Sequence, residues 1–489
     1  MWKFNNKNYV EESKLNNKMN KEMFGLISDS KWSNIFGNSK QVLHLVNRRE
    51  KISRKEADRR TKLLVEKFLG EGTDKNKIKR LKQLIFHIQE YTKARKHALS
   101  NYSFYESLVN YSTTHKNKEM RETARMCMAL CGFPPQLNSD GIKILSIDGG
   151  GARGIFVFEI LKAIEEKTGK KIYEIFDLVC GVSAGSLIVL DLVLNKTNVI
   201  DSREKYFHTI INLLSIDSIT GMRGMLSGAS YYNENLRRKL IKDIYGDKLT
   251  MGETSKFEGI PRIALISTIV NSPYLQPYVF RNYETPTERG SEYKGGTQDK
   301  VCEAAAATSA IPLFMEEVKI GNFVHQDGGL VASNPSAIAI HEARRLWPDE
   351  QIQCIVSCGT SKSIMDTEIF QINENNYTSI RNRLRKYSWA LTDKSAVAYV
   401  LQDLLPNIHY RFNPYTKKTY DVFENDPLVI REMIKESELY VRRNQKKVDD
   451  CCECLMRKPS IIKSIKRDIK NKLRQLRIID YNFVDKLSK

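Results

Sequence analysis

Long apolar runs are missing from this chain of 489 residues, and no stretch of about 18 uncharged apolar residues is on offer to cross a bilayer. The best candidate, Leu187 to Leu194, is short and carries Asp191. Met1 to Phe24 has no apolar centre and mixes lysine with Glu11, Glu12 and Glu22, so neither a secretory signal nor a mitochondrial transit peptide is expected. Histidine is scarce, at 8 residues, and no His pair accompanies Cys451-x-x-Cys454, which argues against zinc and leaves no metal expected. The 9 cysteines are scattered and read as reduced thiols of an intracellular protein, with Cys354 and Cys358 in a core strand. Nucleic-acid motifs are also lacking, so nucleic acid is not an expected partner.

Charge is plentiful, and unevenly spread. The formal net charge is +20. Residues 1–140 hold 28 Lys+Arg against 15 Asp+Glu, residues 451–489 hold 11 against 4, and residues 141–450 hold 39 of each. Basic flanks around a neutral centre fit a protein whose ends lean on an anionic surface.

Four regions follow from pattern and composition. Residues 1–60 are polar, Asn- and Lys-rich, and expected to be partly disordered. Residues 61–139 form a helical region, possible as an armadillo-like stack: Leu63, Leu64 and Phe68, then Leu81, Leu84, Ile85 and Ile88, recur at helical steps. From 140 to 363 short strands alternate with helices, which argues an α/β domain with a mostly parallel sheet covered on both faces. Its expected strands are Ile142–Ile147, Phe176–Cys180, Ile263–Ile269, Phe323–His325 and Ile352–Ser357; its helices are Ile155–Glu166, Leu187–Leu194, Glu303–Ala310 and Ser336–Leu346. Residues 364–489 read as mostly helical. Between Arg457 and Arg477, nine basic residues and one acid surround an Ile/Leu stripe, a basic amphipathic helix of the membrane-surface or calmodulin-target kind. Docking of that stripe on the domain is the plain alternative. Cys451, Cys452 and Cys454 just before it read as buried thiols, with palmitoylation the alternative.

Two loops carry the chemistry. Gly181-Val182-Ser183-Ala184-Gly185 lies between a strand and a helix, the sequence form of a turn that lifts a serine hydroxyl clear of a sheet. Asp148-Gly149-Gly150-Gly151-Ala152-Arg153-Gly154 follows another strand and opens a helix. A serine hydroxyl is a weak nucleophile and needs a base. The oxyanion formed on attack needs N–H donors already in place, which glycine-rich backbone at a helix start supplies. Gly149, Gly150, Gly151, Ala152 and Arg153 are the candidates, and Arg153 adds a positive charge suited to a phosphate-bearing substrate.

The glycine loop also matches G-x-G-x-x-G, so a dinucleotide site is the rival. That rival needs an acidic residue closing the second strand, where Asp177 opens it, and it leaves Ser183 idle. The base stays open at this level: Asp327, in Asp327-Gly328-Gly329, with His341 or His409, or His325 on the same strand.

Taken together, Asp148 to Gly154, Gly181 to Gly185, and Asp327 to Gly329 with Asn334-Pro335 after it resemble the patatin-like phospholipase family. The run Ile144-Leu145-Ser146-Ile147-Asp148-Gly149-Gly150-Gly151 is most similar to its gamma-type calcium-independent phospholipases A2. The resemblance implies a patatin-like sheet after a helical region, and a Ser–Asp dyad with Ser183 as nucleophile and Asp327 as base. It further implies an oxyanion hole from Gly149 to Arg153, no cofactor, and calcium-independent release of fatty acid from membrane glycerophospholipids. A triacylglycerol lipase, or an idle membrane-binding scaffold, is the alternative. Location at a mitochondrial, endoplasmic reticulum or peroxisomal membrane is likewise implied, though the chain ends Leu487-Ser488-Lys489 rather than in a Ser-Lys-Leu signal. Ala152 and Ala184 stand where the gamma type tends to carry Thr, which bears on acyl-chain preference.

Overall fold

The computed structural model describes residues 52–214, 233–286, 290–312, 314–363, 395–459 and 465. The polar stretch up to residue 51 and most of the basic tail helix therefore lie outside the described residues, as do residues 364–394.

Before the sheet come four main helices: α1 (Arg54–Gly70), α2 (Asp74–Glu90), α3 (Tyr102–Thr113) and α4 (Lys118–Cys131). Their apolar stripes close a core of their own around Phe68, Leu81, Leu84, Phe104 and Leu108. Gly132 ends α4 in the left-handed region, φ 93°, where a side chain would be strained.

The central sheet begins with β1 (Ile142–Ile147), β2 (Leu178–Val182), β3 (Arg262–Ile269), β4 (Gln276–Arg281) and β5 (Lys294–Gly296). It continues with β6 (Val318–Ile320), β7 (Phe323–Asp327), β8 (Ile352–Cys358) and, beyond the small β9 (Lys362–Ser363), β10 (His409–Phe412). The order is β10-β8-β1-β2-β3-β4-β5, parallel from β10 to β3. β4 and β7 run antiparallel to β3. One face is packed by α5 (Ile155–Thr168) and its neighbours, the other by the helix Ser336–Leu346. Strands β1, β2 and β3 are buried along almost their whole length, as parallel strands covered on both faces must be.

Three expectations shift. β2 starts two residues later than expected and runs into the elbow, because a short helix, Ile172–Ile175, precedes it and Asp177 accepts the Lys143 N–H at 2.8 Å. The helix expected from Leu187 begins at Ala184, straight after the serine, and passes into a π turn over Leu190–Leu194. The Ala-rich helix spans Val301–Thr308, two residues earlier than read. The sheet also reaches past residue 363, since β10 pairs with β8 and joins it from a region read as helical. Cys354 and Cys358 are buried in β8, and Cys451, Cys452 and Cys454 are buried too. No helix among the described residues is long and apolar enough to cross a membrane.

Candidate active site

Ser183 occupies the turn between β2 and the helix Ala184–Val189, with φ 53° and ψ −125°. A non-glycine residue rarely adopts that conformation, and the surroundings must hold it there. They do so through Thr308, whose Oγ1 accepts the Ser183 N–H at 2.9 Å and donates to the Ile266 carbonyl. Gly181 and Gly185 leave room for the turn. A Cβ on Gly181 would come within 2.8 Å of Ser186 Cα, and one on Gly185 would come within 2.8 Å of the Asp148 carbonyl oxygen.

Asp327 comes to Ser183 through strand register. Along one edge of β3, β2 is paired up to Val182 opposite Ile266. From Ser267 onward that edge belongs to β7, with Ser267 opposite Asp327. β2 runs with β3 and β7 runs against it, so the two strands meet end to end between Ile266 and Ser267. Their last residues then face each other, and Ser183 Oγ donates to Asp327 Oδ2 at 2.6 Å. The Gly329 N–H donates to Asp327 Oδ1 at 2.7 Å, and Thr268 Oγ1 donates to the Asp327 carbonyl. Serine and aspartate are 5% and 6% exposed, so the pair is largely removed from water, while Ser183 still lines a cavity.

The histidines stand elsewhere. His325 is fully buried and shares a hydrogen bond with Ser267 Oγ through Nδ1, its ring packed against Tyr278 and Phe280. Burial lowers its pKa to about 4. His341 pairs with Glu292 at 2.8 Å and lies against Tyr293. His409 is buried in β10, where burial likewise lowers its pKa to about 4. None of the three bonds Ser183 or Asp327.

The glycine loop lies directly beside the serine: a Cβ on Gly149 would be 3.1 Å from Ser183 Cβ. Of the five candidate N–H donors, three are already engaged. Gly149 donates to the Ser333 carbonyl at 3.3 Å, Ala152 to the Val422 carbonyl at 2.8 Å and Arg153 to the Gly150 carbonyl at 3.1 Å. The N–H groups of Gly150 and Gly151 meet no acceptor among the described residues. Asp148, ahead of the loop, is fully buried and gripped by Arg411. Burial works against the Arg411 charge, and the Asp148 carboxylate more than offsets it.

Ser183 and Gly151 form part of the wall of a cavity of about 620 Å³. Leu187, Leu213, Ile241, Ile311, Met315 and Phe423 make most of the remaining wall apolar. Its volume and lining are those of a ligand pocket for an apolar group. Arg237 also reaches it, but its charge is met by Glu234 at 2.9 and 2.8 Å and its third nitrogen by the Ala306 carbonyl. Thr308, Thr360, Arg411 and Val422 were not candidates from sequence, because no motif marks them and each reaches the site only through the fold. Among the described residues there is no cluster of His, Cys, Asp or Glu fit to hold a metal.

Residues 145–340 match the family described as patatin-like phospholipase. The chain is 32% identical over 433 residues to the mouse (Mus musculus) protein named calcium-independent phospholipase A2-gamma, covering 88% of this chain and 54% of that one. The Homo sapiens protein of that name is 32% identical over 441 residues, 89% of this chain and 55% of its own. Phospholipase A I of Arabidopsis thaliana is 26% identical over 389 residues, 65% of this chain and 28% of its own. The chain thus spans about half the length of the animal relatives it matches.

Proposed function

From the premise that this chain belongs to the patatin-like phospholipase family, we propose that it is a phospholipid acyl hydrolase working through a Ser183–Asp327 dyad. The single observation that carries this reading is the 2.6 Å hydrogen bond from Ser183 Oγ to Asp327 Oδ2 at the wall of an apolar cavity.

Chemically the steps are these. Asp327 takes the proton of Ser183 as its Oγ attacks the ester carbonyl carbon. The oxyanion is met by the Gly150 and Gly151 N–H groups, the two in the loop with no acceptor among the described residues. Collapse breaks the ester C–O bond, Asp327 returns the proton to the leaving glycerol oxygen, and a lysophospholipid departs. Water, deprotonated by Asp327, then attacks the acyl-serine, and fatty acid leaves with Ser183 restored. The acyl chain occupies the apolar cavity throughout, which keeps it out of water.

Calcium independence is proposed from the names of the relatives, and the basic residues of 1–140 and 451–489 are proposed to hold the enzyme at an anionic bilayer surface. The test is hydrolysis of a fluorogenic phospholipid in EGTA, alongside labelling of Ser183 by a fluorophosphonate. Turnover and labelling are expected. Loss of turnover on chelation removes calcium independence, and absence of labelling removes the nucleophile.

A further inference from the structure

The glycine loop contains three peptide units between Gly149 and Ala152, and the carbonyl of each is tied. The Gly149 carbonyl accepts from Thr360 Oγ1 at 3.0 Å. The Gly150 carbonyl accepts the Arg153 N–H at 3.1 Å, and the Gly151 carbonyl accepts from the Tyr206 hydroxyl at 2.6 Å. A trans peptide keeps its C=O and the following N–H on opposite sides of one plane. Holding a carbonyl therefore aims the next N–H. In the third unit that N–H, from Ala152, is used on Val422. The first two units leave Gly150 and Gly151 N–H without an acceptor among the described residues. Behind Gly151 the clamp is local, within the turn itself. Behind Gly150 it is a side chain 211 positions away.

The sheet order decides where that clamp points the donor. β8 lies on one side of β1 and β2 on the other. Thr360 follows the end of β8, and Ser183 follows the end of β2. The Thr360 hydroxyl draws the Gly149 carbonyl toward the β8 side, which turns the Gly150 N–H toward the β2 side, where the serine stands. Little slack exists in this arrangement. Thr360 is fully buried, and a Cβ on Gly150 would come within 2.6 Å of Thr360 Cβ.

We propose that Thr360 is the positioning residue of the oxyanion hole: its hydroxyl orients the Gly150 N–H toward the oxygen that gains charge when Ser183 attacks. This rests on the reading of Ser183 as nucleophile given above. The hydroxyl is not itself a donor to the reacting oxygen in this reading; it acts through the Gly149–Gly150 peptide.

Thr360→Val keeps the shape and removes the donor; Thr360→Ser keeps the donor and removes a methyl. The full chain and both variants are compared for fluorophosphonate labelling rate of Ser183, kcat and KM on a phospholipid, and thermal midpoint. In labelling, the serine oxygen bonds to phosphorus, fluoride leaves and the serine proton passes to Asp327, while the phosphoryl oxygen occupies the same hole. Expected is a fall of about 10- to 100-fold in labelling rate and kcat for the valine variant, less than the roughly 10²–10³ of a deleted donor. KM stays within about twofold, since the donor acts on the transition state. The serine variant recovers to within about threefold of the parent, the hydroxyl being what aims the peptide. A valine variant that labels at the parent rate overturns the proposal, as does a serine variant that falls with it, since packing alone would then explain both. A parent that labels but does not cleave phospholipid removes only the lipid substrate, and the labelling comparison still decides Thr360. A parent that does not label overturns both readings.

Discussion

Arg411 holds Asp148 with two parallel hydrogen bonds, at 2.9 and 2.6 Å, although 263 residues separate them. Asp148 opens the glycine loop and Arg411 lies in β10, at the edge of the sheet. Arg411 also donates to Ser357 Oγ at 2.8 Å, so one guanidinium ties β10, β8 and the loop after β1 together.

Because that ion pair is buried, Arg411→Ala is expected to leave an unpaired carboxylate and cost about 3–5 kcal/mol of stability. Chemical denaturation read by circular dichroism checks it. A loss under about 1 kcal/mol would mean that water reaches Asp148.

Ser183→Ala and Asp327→Asn are each expected to lower turnover by on the order of ten-thousandfold, with the thermal midpoint little changed. The double variant is expected to be no worse than either single one, since the two groups act as a unit. Steady-state kinetics on a phospholipid substrate checks it, and additive losses would show that Asp327 works apart from the serine.

His325 gives a contrast in sign. Its folded-state pKa, lowered by burial to about 4, lies below the value of about 6.5 in an unfolded chain. The unfolded state then binds more protons between those values, so stability is full above about pH 6.5 and falls as the pH drops toward 4. His325→Phe is expected to flatten this acid limb while keeping turnover within about threefold, because the ring is no base for Ser183. Unfolding measured across pH 4 to 7, with activity at pH 7, checks both halves. Inactivity in a folded His325→Phe protein would replace the dyad with a triad.

Met315 is at the cavity wall and is 7% exposed. Met315→Trp is expected to fill part of the space and shift preference from long to short acyl chains, raising the short-to-long ratio of kcat/KM by roughly tenfold, the scale of a few methylenes in an apolar pocket. A chain-length series of esters reads it. An unchanged ratio would place the acyl chain elsewhere.

Much of the fold is legible from local pattern. The apolar run Ile142–Ile147 forms a strand and Ser336–Leu346 a helix over the residues that periodicity marks. β10 is not legible, because His409–Phe412 is short and polar at Arg411, and it becomes a strand only by pairing with β8. Pattern places β2 two residues early, because its apolar run continues through Gly181, which looks like the start of a turn.

The two reacting loops are marked by local sequence: Gly181 stands where a Cβ would strike the Gly185 and Ser186 backbone, and the serine sits in the turn that begins there. Which group faces that serine is a different matter. Ser183 and Asp327 are 144 residues apart, and the motifs read one by one leave the base open among Asp327, His325, His341 and His409, whereas β2 and β7 meeting on one edge of β3 bring Asp327 to the serine. Likewise, five N–H groups look alike in sequence, and the carbonyls of Ser333, Val422 and Gly150 take three of them, leaving two without an acceptor among the described residues. Short-range sterics are written into the order of residues. Partners across a sheet are set by register, which exists only once the strands have paired.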